Sequence, residues 1–275
     1  MVTRTASTII NNKSIKLEHD EKSYVKIYDQ PIEMPHFSDS KTDRLQHVIM
    51  MDFQAKLSMV MRAQAKQNKL SLPLPKSKYG VTIKVTTIRD KKELPILLTA
   101  KAIVDAINKE VIDNDADIYS LKVEINPVSA RSRRAKSKPT DEIDLEVYDV
   151  VSMKSLIRFQ GLNTYIVPKS KPVLAGGFDA EYFYPDRELY HTYVQETLNR
   201  GGFVVSAADA YSVKLNFTGA VQSKDIDNMA KTYLPILESM PSFKADNILS
   251  LELYKEHEDT HASVEIYVNC NSMQP

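Results

Sequence analysis

Apolar and polar residues alternate in several short stretches of the chain, and two of these stretches resemble each other. Residues 81–88 (VTIKVTTI) and 211–218 (YSVKLNFT) both alternate in this way and are rich in β-branched or aromatic side chains. The pattern predicts two strands, each with one buried face. An offset of 130 residues superposes the two stretches and pairs Lys84 with Lys214.

The same offset holds through the next two elements. Residues 97–107 (LLTAKAIVDAI) and 227–237 (DNMAKTYLPIL) have the apolar spacing of amphipathic helices. Residues 117–123 (DIYSLKV) and 247–253 (NILSLEL) again alternate and predict strands. The constant offset over three consecutive elements indicates an internal repeat, which a fold prediction has to account for first.

Looser similarities extend the repeat in both directions. After a longer loop in the first copy, residues 145–148 (LEVY) resemble residues 264–267 (VEIY). Upstream, residues 24–27 (YVKI) resemble residues 156–159 (LIRF), and we predict that each is the first strand of its copy. A polar loop and a helix follow each of these strands, and we place the helices at residues 42–67 and 187–198.

The order strand, helix, strand, helix, strand, strand therefore occurs twice. It predicts an α+β fold of two tandem domains, each a small mixed sheet with two helices, which together form an intrachain pseudo-dimer. We assign residues 1–21 to a polar N-terminal arm, residues 22–151 to the first domain and residues 152–275 to the second. Because identities are few, a chance similarity between two α+β domains is the alternative.

Composition limits the class of protein. The chain has 275 residues, enough for two ordinary domains, and its 43% hydrophobic content is typical of a globular protein. No apolar run approaches the roughly 20 residues that cross a bilayer, and the N-terminus lacks the apolar core of a secretory signal. The single cysteine, Cys270, excludes a disulfide framework within the chain and suits the cytoplasm. The net charge of zero disfavours non-specific nucleic-acid binding.

An acidic string, residues 224–231 (KDIDNMAK), precedes the second helix of the second copy. Asp225 and Asp227 are two positions apart in an extended segment, so their carboxylates point to the same side, and Lys231 follows Asp227 by one helical turn. Paired carboxylates are the hard oxygen ligands that suit Mg²⁺, and such sites support phosphodiester hydrolysis. Asp246, just before the next strand, is the natural third carboxylate. The alternative is that Asp225 and Asp227 cap the helix.

The string resembles the signature of RusA-like Holliday junction endonucleases. That signature is an Asp-x-Asp-Asn string at a helix start, a lysine one turn later, and an Asp-Asp pair leading into a strand. In this family three aspartates bind Mg²⁺, and the lysine assists cleavage of four-way DNA junctions by a homodimer. The resemblance implies that Asp225 and Asp227 are metal ligands and that Lys231 is the catalytic lysine, with Asp246 as the third catalytic and metal-binding carboxylate.

The chain departs from the family pattern at two places. The expected Asp-Asp pair falls on Lys244 and Ala245, so Asp246 is one position late. The first copy has Asp115 at the later ligand position, but residues 95–98 (PILL) replace the Asp-x-Asp-Asn string. We therefore expect no catalytic Mg²⁺ in the first copy, and we expect the partial ligand sets of the two copies to lie apart.

Two other charged segments are candidate sites. The extra loop of the first copy carries five basic residues and predicts a DNA-binding flap, with a solvated hairpin loop as the alternative. They are Arg131, Arg133, Arg134, Lys136 and Lys138. His257, Asp259 and His261 alternate near the C-terminus, which indicates a solvated hairpin turn rather than a metal site.

These features together predict a structure-selective DNA-binding protein of the RusA type that acts on four-way or branched DNA, with a Mg²⁺-dependent endonuclease activity as its enzymatic form. One chain offers at most one cleavage site, whereas a four-way junction needs two cuts. A homodimer of the two-domain chain would supply both. The alternative is a catalytically inactive pseudo-dimer that binds DNA or a protein partner.

Overall fold

The structure is a computed structural model of the chain. It describes residues 4–10, 13–19, 24–28, 44–89, 93–127, 141–162, 192, 195–196, 198–199, 203–238 and 240–271. Of the predicted helix at residues 187–198, the structure describes residues 192, 195, 196 and 198, which are helical. The segment predicted as an arm contains strands β1 (Arg4–Ile10) and β2 (Lys13–His19), which pair antiparallel. Among the described residues, no helix combines the length and the apolar character that crossing a bilayer requires.

The described chain is of mixed α+β class, as predicted, and its elements follow the predicted order. After β3 (Tyr24–Tyr28) and α1 (Arg44–Gln67), the first half of the chain continues through four more elements. They are β4 (Tyr79–Thr87), α2 (Ile96–Ile107), β5 (Ile118–Pro127) and β6 (Glu142–Asp149). The second half comprises β7 (Ser155–Leu162), β8 (Ala210–Gly219), α3 (Ile226–Glu238), β9 (Ile248–His257) and β10 (Ser263–Asn271). Short 3-10 turns, Asp115–Asp117 and Ala245–Asn247, precede β5 and β9.

One eight-stranded mixed sheet joins both halves in the order β3-β10-β8-β9-β5-β4-β6-β7. The order is mirrored about the central antiparallel pair of β9 and β5. On each side of this pair lies a parallel neighbour, β8 beside β9 and β4 beside β5. Both parallel pairs carry an irregularity at the same place, after Tyr79 and after Tyr211.

The register of the strands corrects the alignment of the repeat. Val81 lies opposite Leu121, and Val213 lies opposite Leu251. The structural offset is therefore 132 residues in the first of these strands and 130 in the second, so Lys84 corresponds to Asn216 rather than to Lys214. Since the difference is two residues, the assignment of side chains to the two faces of the sheet is unchanged.

The edge strands differ from the predicted domain assignment. β7, predicted as the first strand of the second domain, pairs with β6 of the first half. β3, predicted as the first strand of the first domain, pairs with β10 of the second half. The repeat assigns β7 to the second copy, but β7 lies beside the strands of the first half. It assigns β3 to the first copy, but β3 lies beside the strands of the second half.

The core lies between one face of the sheet and the helices. Alternate residues of the strands are buried there, as the burial of Val81, Ile83 and Val85 along β4 shows. Helix α2 buries nine of its twelve residues, and α1 packs on α2 through a stripe at intervals of four residues. The stripe consists of Phe53, Leu57, Met61 and Ala65. Burial of this continuous apolar surface from both halves is the main source of stability.

Candidate functional site

The acidic string lies at the start of α3, close to the end of β8. The Asp225 carbonyl accepts a hydrogen bond from the amide of Met229 at 3.1 Å, which makes Asp225 the residue that caps the helix. Its carboxylate accepts a bond of 2.9 Å from the Asn228 side chain. Carboxylates in this first turn are favoured by the helix dipole. Asp225 therefore occupies the N-cap position of α3, and its carboxylate contacts the Asn228 side chain.

Asp227 is almost fully buried, at 2% exposure, and lies between two lysines. Its Oδ2 is 3.4 Å from the Lys231 Nζ in the same helix and 3.6 Å from the Lys101 Nζ in α2. Lys231 also donates a bond of 2.5 Å to the Asn228 side chain. The Asp227 Oδ2 receives no hydrogen bond from any described residue. A buried carboxylate of this kind is stabilised by the two neighbouring ammonium groups.

The first half of the chain contributes two further acidic groups to this region. Asp105 accepts hydrogen bonds of 3.2 Å from Lys101 and from Gln54. Burial raises the pKa of Asp115, and the nearby charge of Asp227 raises it further. Burial lowers the pKa of Lys101, but Asp227 and Asp105 together outweigh this effect, so its pKa is raised overall.

These interactions link residues of both copies, whose partial ligand sets we expected to lie apart. Asp115 belongs to the first copy and Asp227 to the second, yet their charges interact, and Lys101 from the first copy forms an ion pair with Asp227. The reason is that the 3-10 turn before β5 and the start of α3 both lie at the same end of the central strand pair. We call the group of Lys101, Asp105, Asp115, Asp225, Asp227 and Lys231 the midline cluster.

Lys255, near the end of β9, connects the first-half and second-half segments of the midline cluster by hydrogen bonds. Its ammonium group donates hydrogen bonds to the carbonyl of Ala116, next to Asp115, and to the carbonyl of Lys224, next to Asp225, the latter at 2.7 Å. Burial lowers its pKa to about 8, although Asp225, Asp117 and Asp115 oppose this shift. Sequence reasoning missed Lys255, because its role depends on carbonyl groups that are distant along the chain.

Asp246 does not belong to the midline cluster. It is the central residue of the 3-10 turn before β9, and its charge raises the pKa of Glu238, which burial has already raised. Glu238 ends α3, whereas Asp227 lies in its first turn, so about 16 Å of helix separates the two carboxyl groups. The structure does not bring Asp246 to Asp225 and Asp227. Asp115, which the sequence assigned to an incomplete first-copy site, approaches Asp227 instead.

The midline cluster does not match a Mg²⁺ cage. Among the described residues, no group of three or more carboxylate, histidine or cysteine side chains is placed to hold a metal ion. Lys101 and Lys231 lie beside the buried Asp227 oxygen, where a cation would have to bind. Asp105 and Asp227 are already paired with ammonium groups.

The basic loop residues Arg131, Arg133, Arg134, Lys136 and Lys138 lie outside the described residues. The described residues that flank the loop are firmly held: Asp141 is buried and accepts a bond of 2.7 Å from Thr87 and bonds from Arg89. These flanking residues lie at the Pro127 end of β5, whereas Asp115 precedes the Ile118 end of the same strand. Nine steps of strand rise separate the two ends by about 30 Å.

His261 lies in the turn between β9 and β10, where the sequence predicted a turn, and His257 is the last residue of β9. His257 pairs with Asp259 at 2.9 Å, and His261 lies 3.8 Å from Glu258, all within or beside the connection between β9 and β10. These are contacts between near neighbours along the chain, and Asp259 is largely exposed. The contacts hold the shape of the hairpin turn.

Comparison with known proteins gave no matching family model, no matching curated protein and no matching solved structure.

Proposed function

We propose that this chain is a structure-selective DNA-binding protein of the RusA type, in which two fused copies form a pseudo-dimer that binds branched DNA. The mirrored strand order and the repeated irregularities in β4 and β8 support the fusion of two related halves. A surface with approximate two-fold symmetry suits a four-way junction, because the junction itself presents two similar halves.

The main observation in support of the proposal is that both halves of the chain supply an ion-pair partner to Asp227. Asp227 belongs to the string that resembles the RusA signature, and its ion-pair partners Lys231 and Lys101 come one from each copy. In a homodimer of such domains each subunit has its own acidic site. Here, within the part of the chain that the structure describes, charged groups of both copies meet in the midline cluster.

Recognition without cleavage fits this cluster best. Lys101 and Lys231 neutralise Asp227, and Asp246 lies at the far end of α3, so the three aspartates that the family signature implies do not come together. The chain then binds a junction and holds it for another protein to process. The five basic residues of the loop between β5 and β6 are proposed to contact phosphates.

A Mg²⁺-dependent endonuclease is the second candidate, and a specific observation favours it. The buried Oδ2 of Asp227 receives no hydrogen bond from the described residues, and the charge of Asp227 raises the pKa of the nearby Asp115. A divalent cation between Asp115 and Asp227 would relieve their repulsion. The residues that would hold it are Asp115 and Asp227.

One experiment separates the two candidates. A labelled synthetic four-way junction is tested for a gel shift in EDTA and for cleavage in Mg²⁺, with the wild type and with Asp225→Asn. We expect a shift without cleavage for both proteins. Cleavage by the wild type that is lost in Asp225→Asn, but kept in the matched control Asp246→Asn, would establish the endonuclease instead. The absence of any shift at low salt would refute DNA binding.

A further inference from the structure

A row of side chains crosses the face of the sheet opposite the helices. Neighbouring strands place these residues side by side from β6 to β3, and we call them the open-face row. They are Tyr148, Gly80, Ser120, Tyr254, Asn216, Glu265 and Lys26. None of them carries an aliphatic side chain, so the row is unlike the apolar face that packs against the helices.

The open-face row, apart from Gly80, forms the floor of a groove of about 1010 Å³. The turn between β6 and β7, with Val151 and Met153, forms one wall, and the turn between β9 and β10 forms the other. The groove also reaches Tyr119 and Lys255. Since Lys255 lines the groove and binds the carbonyls beside Asp115 and Asp225, this end of the groove lies next to the midline cluster.

Aromatic rings are presented in this groove. The phenol end of Tyr148 lies directly over Gly80, where an added Cβ would come within 2.1 Å of the Tyr148 Cζ. Its hydroxyl is 3.0 Å from the Ser120 hydroxyl, which holds the ring down on the sheet. At the end of the groove near the midline cluster, the ammonium groups of Lys78 and Lys255 lie over the ring of Tyr119, each 4.7 Å from its centroid.

The charges of the floor are compensated within it. Glu265 accepts bonds from Lys26 at 2.9 Å and from Asn216 at 2.8 Å. The floor therefore offers stacking surfaces and neutral amide or hydroxyl groups, while Lys78 and Lys255 add positive charge beside Tyr119. Flat aromatic rings with nearby ammonium groups are the features with which proteins bind unpaired nucleotides.

We propose that this groove binds unpaired nucleotides of a branched DNA, with bases on Tyr148 and Tyr254 and phosphates near Lys78. The inference rests on the proposed function and names its substrate class: a branch with a single-stranded arm. The arm leaves the branch point at the midline cluster and follows the open-face row. The exposed Glu256 and Glu258 in the opposite wall restrict phosphates to the Tyr119 end of the groove.

Fluorescence anisotropy with labelled DNA tests the proposal. Wild type is titrated with a blunt-armed junction and with the same junction carrying one single-stranded arm, and we expect tighter binding of the latter. The double variant Tyr148→Leu, Tyr254→Leu should lose at least about 10-fold in affinity for the single-stranded arm and little for the blunt junction. Tyr267→Leu is the matched control, because Tyr267 lies on the same face but outside the groove.

The outcomes are distinct for the groove and for the proposed function. Equal affinity of the wild type for both junctions, or equal losses in the double variant and in Tyr267→Leu, would overturn the groove proposal alone. Binding of neither junction would overturn both. Gly80→Ala gives an independent check, because the added methyl group displaces the Tyr148 ring while both tyrosines remain, and it should reproduce a loss for the single-stranded arm.

Discussion

At the scale of single residues, the midline cluster depends on compensated burial. Asp227 is 2% exposed, and burial of a carboxylate is favourable only because Lys231 and Lys101 lie beside it. Lys255 provides the other constraint, since it bonds to carbonyl groups from both halves. Both features lead to measurable effects on stability.

Replacement of Asp227 should destabilise the fold. In Asp227→Asn the lysines lose their counter-charge, and we expect a loss of about 3 kcal/mol in the free energy of unfolding, because one partner of a buried ion pair is removed. Urea denaturation followed by circular dichroism measures the loss. Asp105→Asn is the matched control: Asp105 is one-third exposed, so its loss should be much smaller. Equal losses would contradict a special role for Asp227.

The titration of Lys255 should make stability rise with pH. The pKa of Lys255 is lowered to about 8 in the folded chain, while an unfolded lysine titrates near 10.4. Between these values the unfolded state binds more protons, so the free energy of unfolding increases with pH in this window. We expect the wild type to gain stability relative to Lys255→Met between about pH 8 and pH 10. A constant difference between the two proteins would contradict this.

At the scale of elements, the connection between β5 and β6 joins a rigid base to a basic loop. Asp141 is 1% exposed, and its contacts with Thr87 and Arg89 fix the strand ends from which the loop leaves. The loop therefore starts from a defined position at the end of the sheet remote from the midline cluster. Its proposed part in DNA binding is electrostatic and independent of the cluster.

Removal of two loop arginines should weaken DNA binding and its dependence on salt. For Arg133→Ala with Arg134→Ala, the slope of log affinity against log salt should decrease by about 2, because two phosphate contacts are lost. Anisotropy titrations over a range of salt concentrations measure the slope. Arg158→Ala serves as the control, since Arg158 already pairs with Glu146 at 2.7 Å on an edge strand. An unchanged slope in the loop variant would exclude phosphate contact.

At the scale of the whole molecule, the continuous sheet makes the two halves depend on each other. β5 and β9 pair at its centre, and β3 and β7 each complete the half to which the repeat does not assign them. Separation at the predicted boundary near residue 151 would remove β7 from its partner β6. The helices also share one apolar core with both halves of the sheet.

The whole chain should therefore unfold in a single transition. We expect far-ultraviolet circular dichroism and tyrosine fluorescence to give the same urea midpoint, because loss of either half exposes the core of the other. Tyr79 and Tyr211 are buried in different halves, so the tyrosine signal samples both. Two resolved transitions would show that the halves fold independently.

The local features of the fold were predictable because they depend on near neighbours in sequence. The alternation of Val81, Ile83 and Val85 defines a strand with one buried face, and the apolar spacing of α2 defines a buried helix. The internal repeat was also visible, since residues 97–107 and 227–237 share a pattern at a constant offset. The sequence by itself determined the order of the elements from β3 to β10 that the structure describes and the faces that they bury, whereas strands β1 and β2 lie in the segment predicted as an arm.

Only the tertiary structure decided which elements meet. The partners of β3 and β7, the charge interaction between Asp115 and Asp227 and the distance of Asp246 from the start of α3 all depend on strand pairing between residues far apart in the chain. The same holds for the groove over the open-face row, because its floor takes residues from six strands. Hydrophobic periodicity determines which face of a strand is buried, but a similar pattern in every strand leaves the choice of neighbour to the packing of the whole chain.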